Sequence, residues 1–321
     1  MSAAKALRGL TVAAVLGFVL LIGASLLIGA TNIVNGDLDA GLLLAVSRFP
    51  RTCAAILAGA GLALSGVVIQ QTVQNRLVEP GLVGTPEAAM IGLLAVTMIA
   101  PGAALIIKMS AATVSALIGT CGFFLLARLV PRKDPMLLPL VGLIYAGVLS
   151  SIALYAAWLT DLVQYIGVWQ SGEFSGVLKG RYELLWLVAG VAGALYLLAD
   201  RITILGLGED YARSLGLNYR QTVYLGLAIV AVCVSVIVVT VGSLPFVGLV
   251  VPNIVSRIWG DNLRQNLPKI ALLGGGFVLA SDVIGRIVRW PYEIPAATIF
   301  AMIGAVIFLW LLNIPRSSKH G

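Results

Sequence analysis

The sequence contains a single histidine, His320, beside the C-terminal residue. This scarcity excludes mechanisms that need a histidine within the apolar segments, such as a serine–histidine dyad or a histidine-ligated metal site. The three cysteines, Cys53, Cys121 and Cys233, are far apart in apolar segments, and no CxxC pair is present. We therefore interpret the cysteines as small buried apolar residues and predict no metal or redox site.

Charged residues are also scarce. Asp, Glu, Lys and Arg make up 11% of the 321 residues, whereas 60% are hydrophobic and the mean hydropathy is +1.01. Soluble globular domains are about a quarter charged, so a soluble fold would have too few charges to cover its surface. A disordered chain would not be this apolar. The composition therefore predicts an integral membrane protein.

Basic residues outnumber acidic ones, which gives a net charge of +7 and a pI of about 9.5. They occur singly or in pairs between apolar runs, whereas a nucleic-acid-binding face would cluster them with aromatic residues. We therefore expect no nucleic-acid partner. The sequence also lacks GxxxxGK[ST], the phosphate-binding loop of many ATPases. If ATP drives this protein, the ATPase is another polypeptide.

The apolar residues gather in runs, and about 20 of them are needed for each membrane-spanning helix. The first run can also be read as a signal peptide, but it is too long for a typical signal core and no clear cleavage site follows. We predict an all-α, polytopic membrane protein with about ten transmembrane helices in one domain, residues 1–321. The runs cover approximately 10–30, 52–74, 84–101, 107–129, 136–159, 182–199, 221–241, 246–259, 268–286 and 296–313.

Two breaks interrupt this pattern, one at Glu79-Pro80-Gly81 and one at Gly242-Ser243-Leu244-Pro245. Irregular backbone at membrane depth is tolerated where protein or a water-filled cavity surrounds it. Both breaks therefore point to a pathway through the membrane domain.

The basic residues also indicate an orientation. With ten spans and a cytoplasmic N-terminus, 14 of the 21 Lys and Arg residues fall on the cytoplasmic side. Because cytoplasmic loops carry an excess of Lys and Arg, we predict that both termini are cytoplasmic. The outer basic residues are Arg48, Arg51, Lys108, Lys179, Arg181, Arg286 and Arg289.

The longest cytoplasmic polar stretch, residues 200–221, carries the signals of a short helix. Glu209 and Asp210 would stand at its N-terminus and Gly216 at its C-terminal end, which is the favourable order of charge and cap. The alternative is an ordinary connecting loop, which needs no such signals. On these residues alone the stretch is either a docking element for a partner or such a loop.

Four stretches, in order along the chain, resemble the permease subunits of type II ATP-binding-cassette (ABC) importers. This family imports iron–siderophore complexes, haem and vitamin B12. Together the stretches cover most of the chain, and their shared order makes the resemblance specific. They are residues 48–51 (RFPR) with 58–66 (AGAGLALSG), residues 74–84 (QNRLVEPGLVG), residues 207–217 (LGEDYARSLGL), and residues 245–252 (PFVGLVVP) with Asp282, Arg286, Glu293 and Pro295.

The resemblance implies a fold like that of the vitamin B12 importer permease, with ten helices in each of two protomers around a central pathway. It implies two cytoplasmic ATPase subunits, which bind ATP and Mg²⁺, and a periplasmic or lipid-anchored solute-binding protein that delivers the cargo. This chain itself would bind no cofactor and catalyse no reaction. Its location would be the cell inner membrane.

The resemblance also assigns roles to residues. Arg48, Arg51 and Arg286 match arginines that the family presents to glutamates of the binding protein, and arginine is a permanently charged, multi-donor partner for carboxylates. The alternative is that these side chains anchor the helices at lipid headgroups.

Residues 208–217 match the family's coupling helix, which sits in a cleft of the ATPase. By this analogy Glu209 and Arg213 orient the contact, while Ala212 and Leu215 pack into the cleft. The glycines that bound the element are Gly208 and Gly216.

The resemblance also indicates a cytoplasmic gate. Asn75 and Leu77 match positions near it, and Asp134-Pro135 matches a loop that forms another part of it. The alternative is a plain helix end followed by a turn.

Two acids, Glu87 and Asp282, lie within apolar segments, and such acids usually face an interior. Glu87 can instead cap the helix that follows Pro86. The chain departs from many family members at Asn253, where they have histidine, and at residues 85–87. These departures bear on the substrate rather than on the family.

We predict a permease that translocates a ferric siderophore, with specificity residing mainly in the binding protein. The stretch that follows Gly84 looks more like siderophore members than the vitamin B12 permease. Haem or vitamin B12 cargo is the first alternative. The second is an ion-coupled secondary transporter, for which Glu87 and Asp282 are the candidate acids. An intramembrane enzyme is disfavoured because the sequence has no GxSxG, no paired aspartate motif and no histidine in the spans.

Overall fold

The structure is a computed structural model that describes residues 2–29, 40–130, 137–180 and 182–313. Within these ranges the regular elements are all helical, as the apolar runs predict. The helices are α1 (Ser2–Leu27), α2 (Ala40–Leu43), α3 (Phe49–Val73), α4 (Thr85–Ile99), α5 (Leu105–Ala127), α6 (Leu137–Leu159), α7 (Val163–Ser171), α8 (Trp186–Leu205), α9 (Glu209–Ser214), α10 (Tyr219–Val241), α11 (Val247–Trp259), α12 (Leu263–Val288) and α13 (Ala296–Asn313).

The described residues of each of the ten predicted apolar runs lie mainly on one of these helices. Seven described segments are long and apolar enough to cross a membrane, and α4, α11 and α13 contain shorter apolar helices. Several helical parts lie outside the predicted runs, among them α2 and the two that follow. A π-helical turn at Leu44–Arg48 joins α2 to α3, and α7 occupies the loop after α6. Neither is a long apolar run, so hydropathy alone does not reveal them.

Helix α3 lies at the centre of the described fold and packs against α8, α10, α11 and α12. Two of its glycines allow these close approaches. A Cβ atom at Gly59 would overlap the backbone of Gly274 in α12, and one at Gly66 would overlap the backbone of Gly248 in α11. Small residues at crossings let membrane helices approach closely, so these glycines bring the backbones of α12 and α11 against α3.

The outward faces of the peripheral helices are apolar. In α6, for example, Leu143, Ile144, Val148 and Trp158 are all more than half exposed. In a soluble protein such a surface would drive aggregation. In a membrane it contacts lipid or another apolar protein surface, and the backbone polar groups stay bonded within each helix.

The two breaks in the apolar pattern meet near the middle of the fold. Helix α3 ends at Gln74, which has φ of 55°, and a 3-10 turn at Pro80–Val83 leads to α4. Helix α10 ends at Gly242, and α11 begins after Phe246, which has φ of 67°. Both irregular segments line one cavity of about 230 Å³. The breaks therefore lie side by side inside protein, as irregular backbone at membrane depth requires.

Candidate functional site

A group of five charged residues joins three parts of the chain at one end of α3. Arg48 ends the π-turn and Arg51 lies in the first turn of α3, whereas Asp282 and Arg286 lie one turn apart on α12. Glu293 follows α12 in the connection to α13. We call these five residues the outer charge cluster, after the side of the membrane predicted from sequence for its three arginines. The structure thus brings together the three arginines that were predicted from sequence.

Asp282 is the centre of the outer charge cluster. Its Oδ1 lies 2.7 Å from Nη2 of Arg51, and its Oδ2 accepts a hydrogen bond of 3.1 Å from Nε of Arg286. Arg51 also pairs with Glu293, with 2.8 Å between Nη2 and Oε2. A buried carboxylate needs such partners because its desolvation is costly. Asp282 is therefore a paired, buried acid, and its position relative to a pathway stays a prediction.

The other two arginines of the cluster bind the C-terminal end of α1. Nη1 of Arg286 donates to the carbonyl oxygens of Ser25 and Ile28 at 3.0 and 2.9 Å. Nη1 of Arg48 donates to those of Leu26 and Leu27 at 2.9 and 2.7 Å. The last carbonyls of a helix lack intrahelical partners and carry partial negative charge. The two guanidinium groups therefore cap α1 and hold it against α3 and α12.

The members of the cluster differ in exposure. Arg48 and Arg286 are 4% exposed, whereas the side chains of Arg51 and Glu293 are 13% and 26% exposed. The sequence analysis predicted that all three arginines are presented on the outer surface. In the structure of this chain, Arg48 and Arg286 are instead covered because they bind α1, and the surface of the cluster is formed by Arg51 with Glu293. The docking role itself stays a prediction.

The short helix at residues 208–217 is present, so the segment is not a plain loop. Gly208 precedes α9 with φ of 106°, and Gly216 follows it with φ of 78°. The N–H groups of Gly216 and Leu217 donate to the carbonyls of Arg213 and Ala212, both at 2.9 Å, which is the glycine-dependent C-terminal cap of a helix. The predicted helix start and stop are therefore confirmed as local structure.

The exposed surface of α9 differs from the predicted one, in which Ala212 and Leu215 would pack into the cleft of the ATPase. Ala212 is fully buried within this chain, whereas Tyr211 and Leu215 are 70% and 63% exposed. Glu209 and Arg213 form an ion pair one turn apart, with 2.5 Å between Oε1 and Nη2. Ala212 therefore faces the rest of this chain and is not part of the exposed surface. Tyr211, which was not predicted as a contact residue, takes its place beside Leu215.

The connection before α9 rests on the end of α3. A Cβ at Gly206 would overlap the Gln71 side chain, and one at Gly208 would lie 3.0 Å from Nε2 of Gln74. Helix α3 therefore contacts the α9 region at one end and carries Arg51 at the other. One central helix joins the two regions that sequence interpretation assigned to different partners.

The predicted gate residues Asn75 and Leu77 lie in the segment between α3 and α4. The Asn75 side-chain oxygen accepts from the N–H of Leu77 at 2.9 Å, which closes a local turn. The next residue, Arg76, donates to the Ser256 hydroxyl and the Asp261 carboxylate, both at 2.9 Å. Asp134 and Pro135, the other predicted gate residues, lie outside the described residues.

The cavity between the two breaks contains two carboxyl groups. It is lined by Glu79 and Glu87 together with Pro80, Pro245 and Gly248, among others. The two carboxyl groups differ in their hydrogen bonds: Oε1 of Glu79 accepts from the N–H of Phe246 at 3.2 Å, whereas Oε2 of Glu87 is buried without a hydrogen-bond partner. The sequence analysis included Glu79 in a break and in the stretch 74–84, but assigned it no role.

Within the described ranges, no group of three or more His, Cys, Asp or Glu residues could hold a metal ion. The polar features instead are one arginine-rich cluster, one exposed short helix and a small cavity between broken helices. The charged cluster and the exposed short helix can serve as contact surfaces, and the cavity lies at a junction between broken helices.

Comparison with known proteins gives a consistent result. The model of the FecCD transport family matches residues 9–313. The chain is 39% identical over 302 residues to the petrobactin import system permease protein FatD of Bacillus anthracis, covering 94% of this chain and 90% of that protein. It is 38% identical over 303 residues to the ferric-anguibactin transport system permease protein FatD of Vibrio anguillarum, with 93% and 96% covered.

A more distant relative is the vitamin B12 import system permease protein BtuC of Serratia proteamaculans, 34% identical over 281 residues, with 85% of this chain and 82% of that protein covered. Among solved structures, one described as an inward-facing conformation of a metal-chelate type ABC transporter superposes with a TM-score of 0.80. It is 27% identical and covers 96% of this chain and 98% of its own.

Proposed function

This chain belongs to the FecCD transport family, and from that membership we propose that it is the membrane permease of an ABC importer for a ferric siderophore. The observation that carries the siderophore assignment is the order of similarity among relatives. The petrobactin and anguibactin permeases match at 38–39% over 93–94% of this chain. The Serratia vitamin B12 permease matches at 34% over 85%.

The proposed work of this chain is translocation without chemistry on the cargo. Two permease subunits, identical or different, enclose the pathway in the inner membrane with both termini in the cytoplasm. Separate ATPase subunits bind ATP and Mg²⁺, and a solute-binding protein delivers the chelate from outside. The excess of Lys and Arg on the cytoplasmic side supports this orientation.

We propose the outer charge cluster as the contact for the binding protein. Arg51 is the most accessible arginine of the cluster, and it is already paired with Glu293, whose side chain is 26% exposed. A carboxylate of the binding protein can replace Glu293 as the partner of Arg51 while Asp282 keeps its bond. The cluster contains three guanidinium groups and two carboxylates, so it retains an excess positive charge that attracts an acidic partner. Arg48 and Arg286 position this site by capping α1.

We propose α9 as the contact for the ATPase. Its exposed Tyr211 and Leu215 form an apolar tip, and the Glu209–Arg213 pair forms a polar side. Aromatic and apolar anchors of this kind dominate the energy of protein interfaces. Movement of the ATPase would reach α3 through Gln71 and Gln74, which contact the connection before α9. Asn75 and Leu77, directly beyond α3, are the proposed cytoplasmic gate.

The ion-coupled alternative loses one of its two candidate acids. Asp282 is bonded to two arginines, and a carboxylate held in this way is not available to carry an ion across the membrane. Haem and vitamin B12 remain alternative cargoes, and cargo measurements separate them from a siderophore.

The test is uptake in cells with and without the gene. Radio-iron uptake is measured from a panel of ferric siderophores including petrobactin and anguibactin, alongside uptake of haem and labelled vitamin B12. Each assay is repeated after ATP depletion and, separately, after collapse of the proton gradient. We expect loss of one ferric chelate's uptake, sensitive chiefly to ATP depletion. Loss of haem or vitamin B12 uptake alone would overturn the siderophore assignment, and sensitivity chiefly to the gradient would overturn the ABC mechanism.

A further inference from the structure

We propose that Glu79 is a positioning residue that fastens α11 to the segment 74–79. Helix α11 and this segment would then move as one rigid body when the inner gate opens. The proposal rests on the proposed function in one respect, because it assumes an alternating-access cycle. It adds a component that the arginine cluster and the coupling helix do not supply, namely a joint between the gate and a half-length helix.

The first observation is the bond between Glu79 and the start of α11. Glu79 is 7% exposed, and its Oε1 accepts from the N–H of Phe246 at 3.2 Å. Phe246 is the residue that precedes α11, where backbone N–H groups lack intrahelical partners. Its own helix supplies no side-chain cap. A carboxylate 167 positions away in sequence therefore caps α11.

The backbone at this point is held in an uncommon conformation. Phe246 has φ of 67°, a left-handed value that bulky side chains rarely adopt. Such conformations persist where the surroundings fix them, and they are frequent at switch regions. The Glu79 bond fixes the N–H of this residue and thereby the angle at which α11 leaves the break.

Further bonds tie α11 to the end of α3 and to the segment 74–79. Nε2 of Gln70 donates to the Gly248 carbonyl at 3.1 Å, and Nδ2 of Asn253 donates to the Arg76 carbonyl at 2.8 Å. Farther along, Nη1 of Arg76 donates to the Ser256 hydroxyl at 2.9 Å. The attachments thus begin at the N-terminal end of α11 and continue to its last turn.

Glu79 also borders empty space. The cavity of about 230 Å³ is lined by Glu79, Pro80, Pro245 and Gly248, so packing is absent on that side of the bond. A buried N–H without an acceptor is costly, and a hydrogen bond to a carboxylate is stronger than one between neutral groups. Loss of the carboxyl oxygen would therefore leave the N–H of Phe246 without this acceptor and loosen the residue that precedes α11, although Gln70 still holds Gly248.

The consequence concerns the gate. Asn75 and Leu77 lie inside the fastened segment, and Arg76 between them is bonded to Asn253 and Ser256 of α11. Any displacement of α11 is then transmitted to Leu77 instead of being absorbed by the loop. Glu79 would be needed for movement to reach the gate, not for cargo binding or ATP hydrolysis.

The first experiment uses the complete importer in proteoliposomes, with ATP hydrolysis and ferric siderophore uptake measured together. Glu79→Leu removes the acceptor at similar size, whereas Glu79→Gln retains a carbonyl oxygen. Glu87→Gln is the matched control, because Glu87 lines the same cavity without a bond to α11 among the contacts described. We expect Glu79→Leu to lower uptake per ATP about tenfold, as loss of a bond to a carboxylate implies, and the other two variants to remain within about threefold of wild type.

The second experiment measures the joint directly. Spin labels are placed at Gln74 and Ile258, which are both exposed, in a background with all three cysteines replaced. We expect the same label separation in the nucleotide-free and ATP-bound states of wild type and Glu79→Gln, and two different separations in Glu79→Leu. A separation that differs between states in wild type would overturn the proposal.

If Glu79→Leu fails to fold, equal separations in wild type and Glu79→Gln still support the rigid joint, and a separation that differs between states in either still overturns it. Equal loss of uptake per ATP in Glu79→Gln and Glu79→Leu would also overturn the role assigned to the acceptor. The proposed function fails separately, if the wild-type importer transports no ferric siderophore. The label separations still test the joint in that case, because they require no cargo.

Discussion

The guanidinium of Arg51 is bonded to the carboxylate of Asp282, with 2.7 Å between Nη2 and Oδ1, although the two residues lie 231 positions apart in the chain. This bond joins the first turn of α3 to α12. Arg286 bonds to the same carboxylate and to the end of α1. One buried aspartate therefore holds three helices together at the end of the fold where docking is proposed.

The first prediction concerns the stability that Asp282 provides. Asp282→Ala leaves Arg51 and Arg286 without their shared carboxylate, and breaking a buried pair in this way costs about 3–5 kcal/mol. We expect a lower unfolding temperature for the detergent-purified permease. Glu293→Ala is the control: its side chain is 26% exposed, and such pairs contribute about 0–1 kcal/mol. Equal melting of the two variants would show that the central carboxylate has no special structural role.

The second prediction concerns docking of the binding protein. Arg51→Glu reverses the charge of the accessible arginine, so we expect loss of binding-protein affinity by about tenfold or more at low salt. Association is measured with the permease in nanodiscs at several salt concentrations. Arg289→Glu is the control, because Arg289 lies outside the cluster and stacks on Tyr292. Arg51→Glu with unchanged affinity and normal stability would contradict the docking proposal.

The third prediction concerns the ATPase contact. Leu215 is 63% exposed on the tip of α9, so Leu215→Glu should leave folding intact while weakening ATPase binding. Loss of an apolar anchor at an interface typically costs about 2 kcal/mol or more, roughly a thirtyfold change in affinity. Co-purification of the ATPase with the permease measures it. Ser214→Ala, an exposed neighbour in the same helix, is the control, and a similar loss in both variants would argue against a specific tip.

The fourth prediction concerns the conformation that starts α9. Gly208 has φ of 106° and ψ of 163°, a region that is essentially restricted to glycine. Gly208→Ala should therefore cost about 1–3 kcal/mol locally and misplace α9. We expect uptake per ATP to fall while the permease stays folded. Gly190→Ala in α8 is the control, since a Cβ there meets nothing within 4 Å. Normal uptake by Gly208→Ala would show that the orientation of α9 tolerates this strain.

The sequence was sufficient where the physical signal is local. The ten apolar runs predict helices because membrane spans need long apolar segments, and Gly208, Glu209 and Gly216 predict α9 because caps and end charges act within one turn. The pairing of Asp282 with Arg286 one turn later is also readable at helical spacing. These features depend on neighbours in the chain.

The remainder depends on packing between distant segments. Nothing near Glu79 in the sequence reveals that it caps α11, because its partner is 167 positions away. The burial of Ala212 depends on how α9 lies against the other helices, and the burial of Arg48 depends on the end of α1. A rule that intramembrane acids are functional points to Glu79, but it does not identify the partner.

The fifth prediction concerns the crossing of α3 and α11. A Cβ at Gly66 would overlap the Gly248 backbone, which cannot yield as a flexible side chain can. Gly66→Ala must therefore separate the two helices, and overpacking of this kind costs about 1–3 kcal/mol. It should also lengthen the Gln70–Gly248 bond, now 3.1 Å. We expect lower thermal stability together with impaired uptake, against Gly190→Ala as control. Unchanged stability in Gly66→Ala would mean that α11 is not fixed against α3 and can shift without loss.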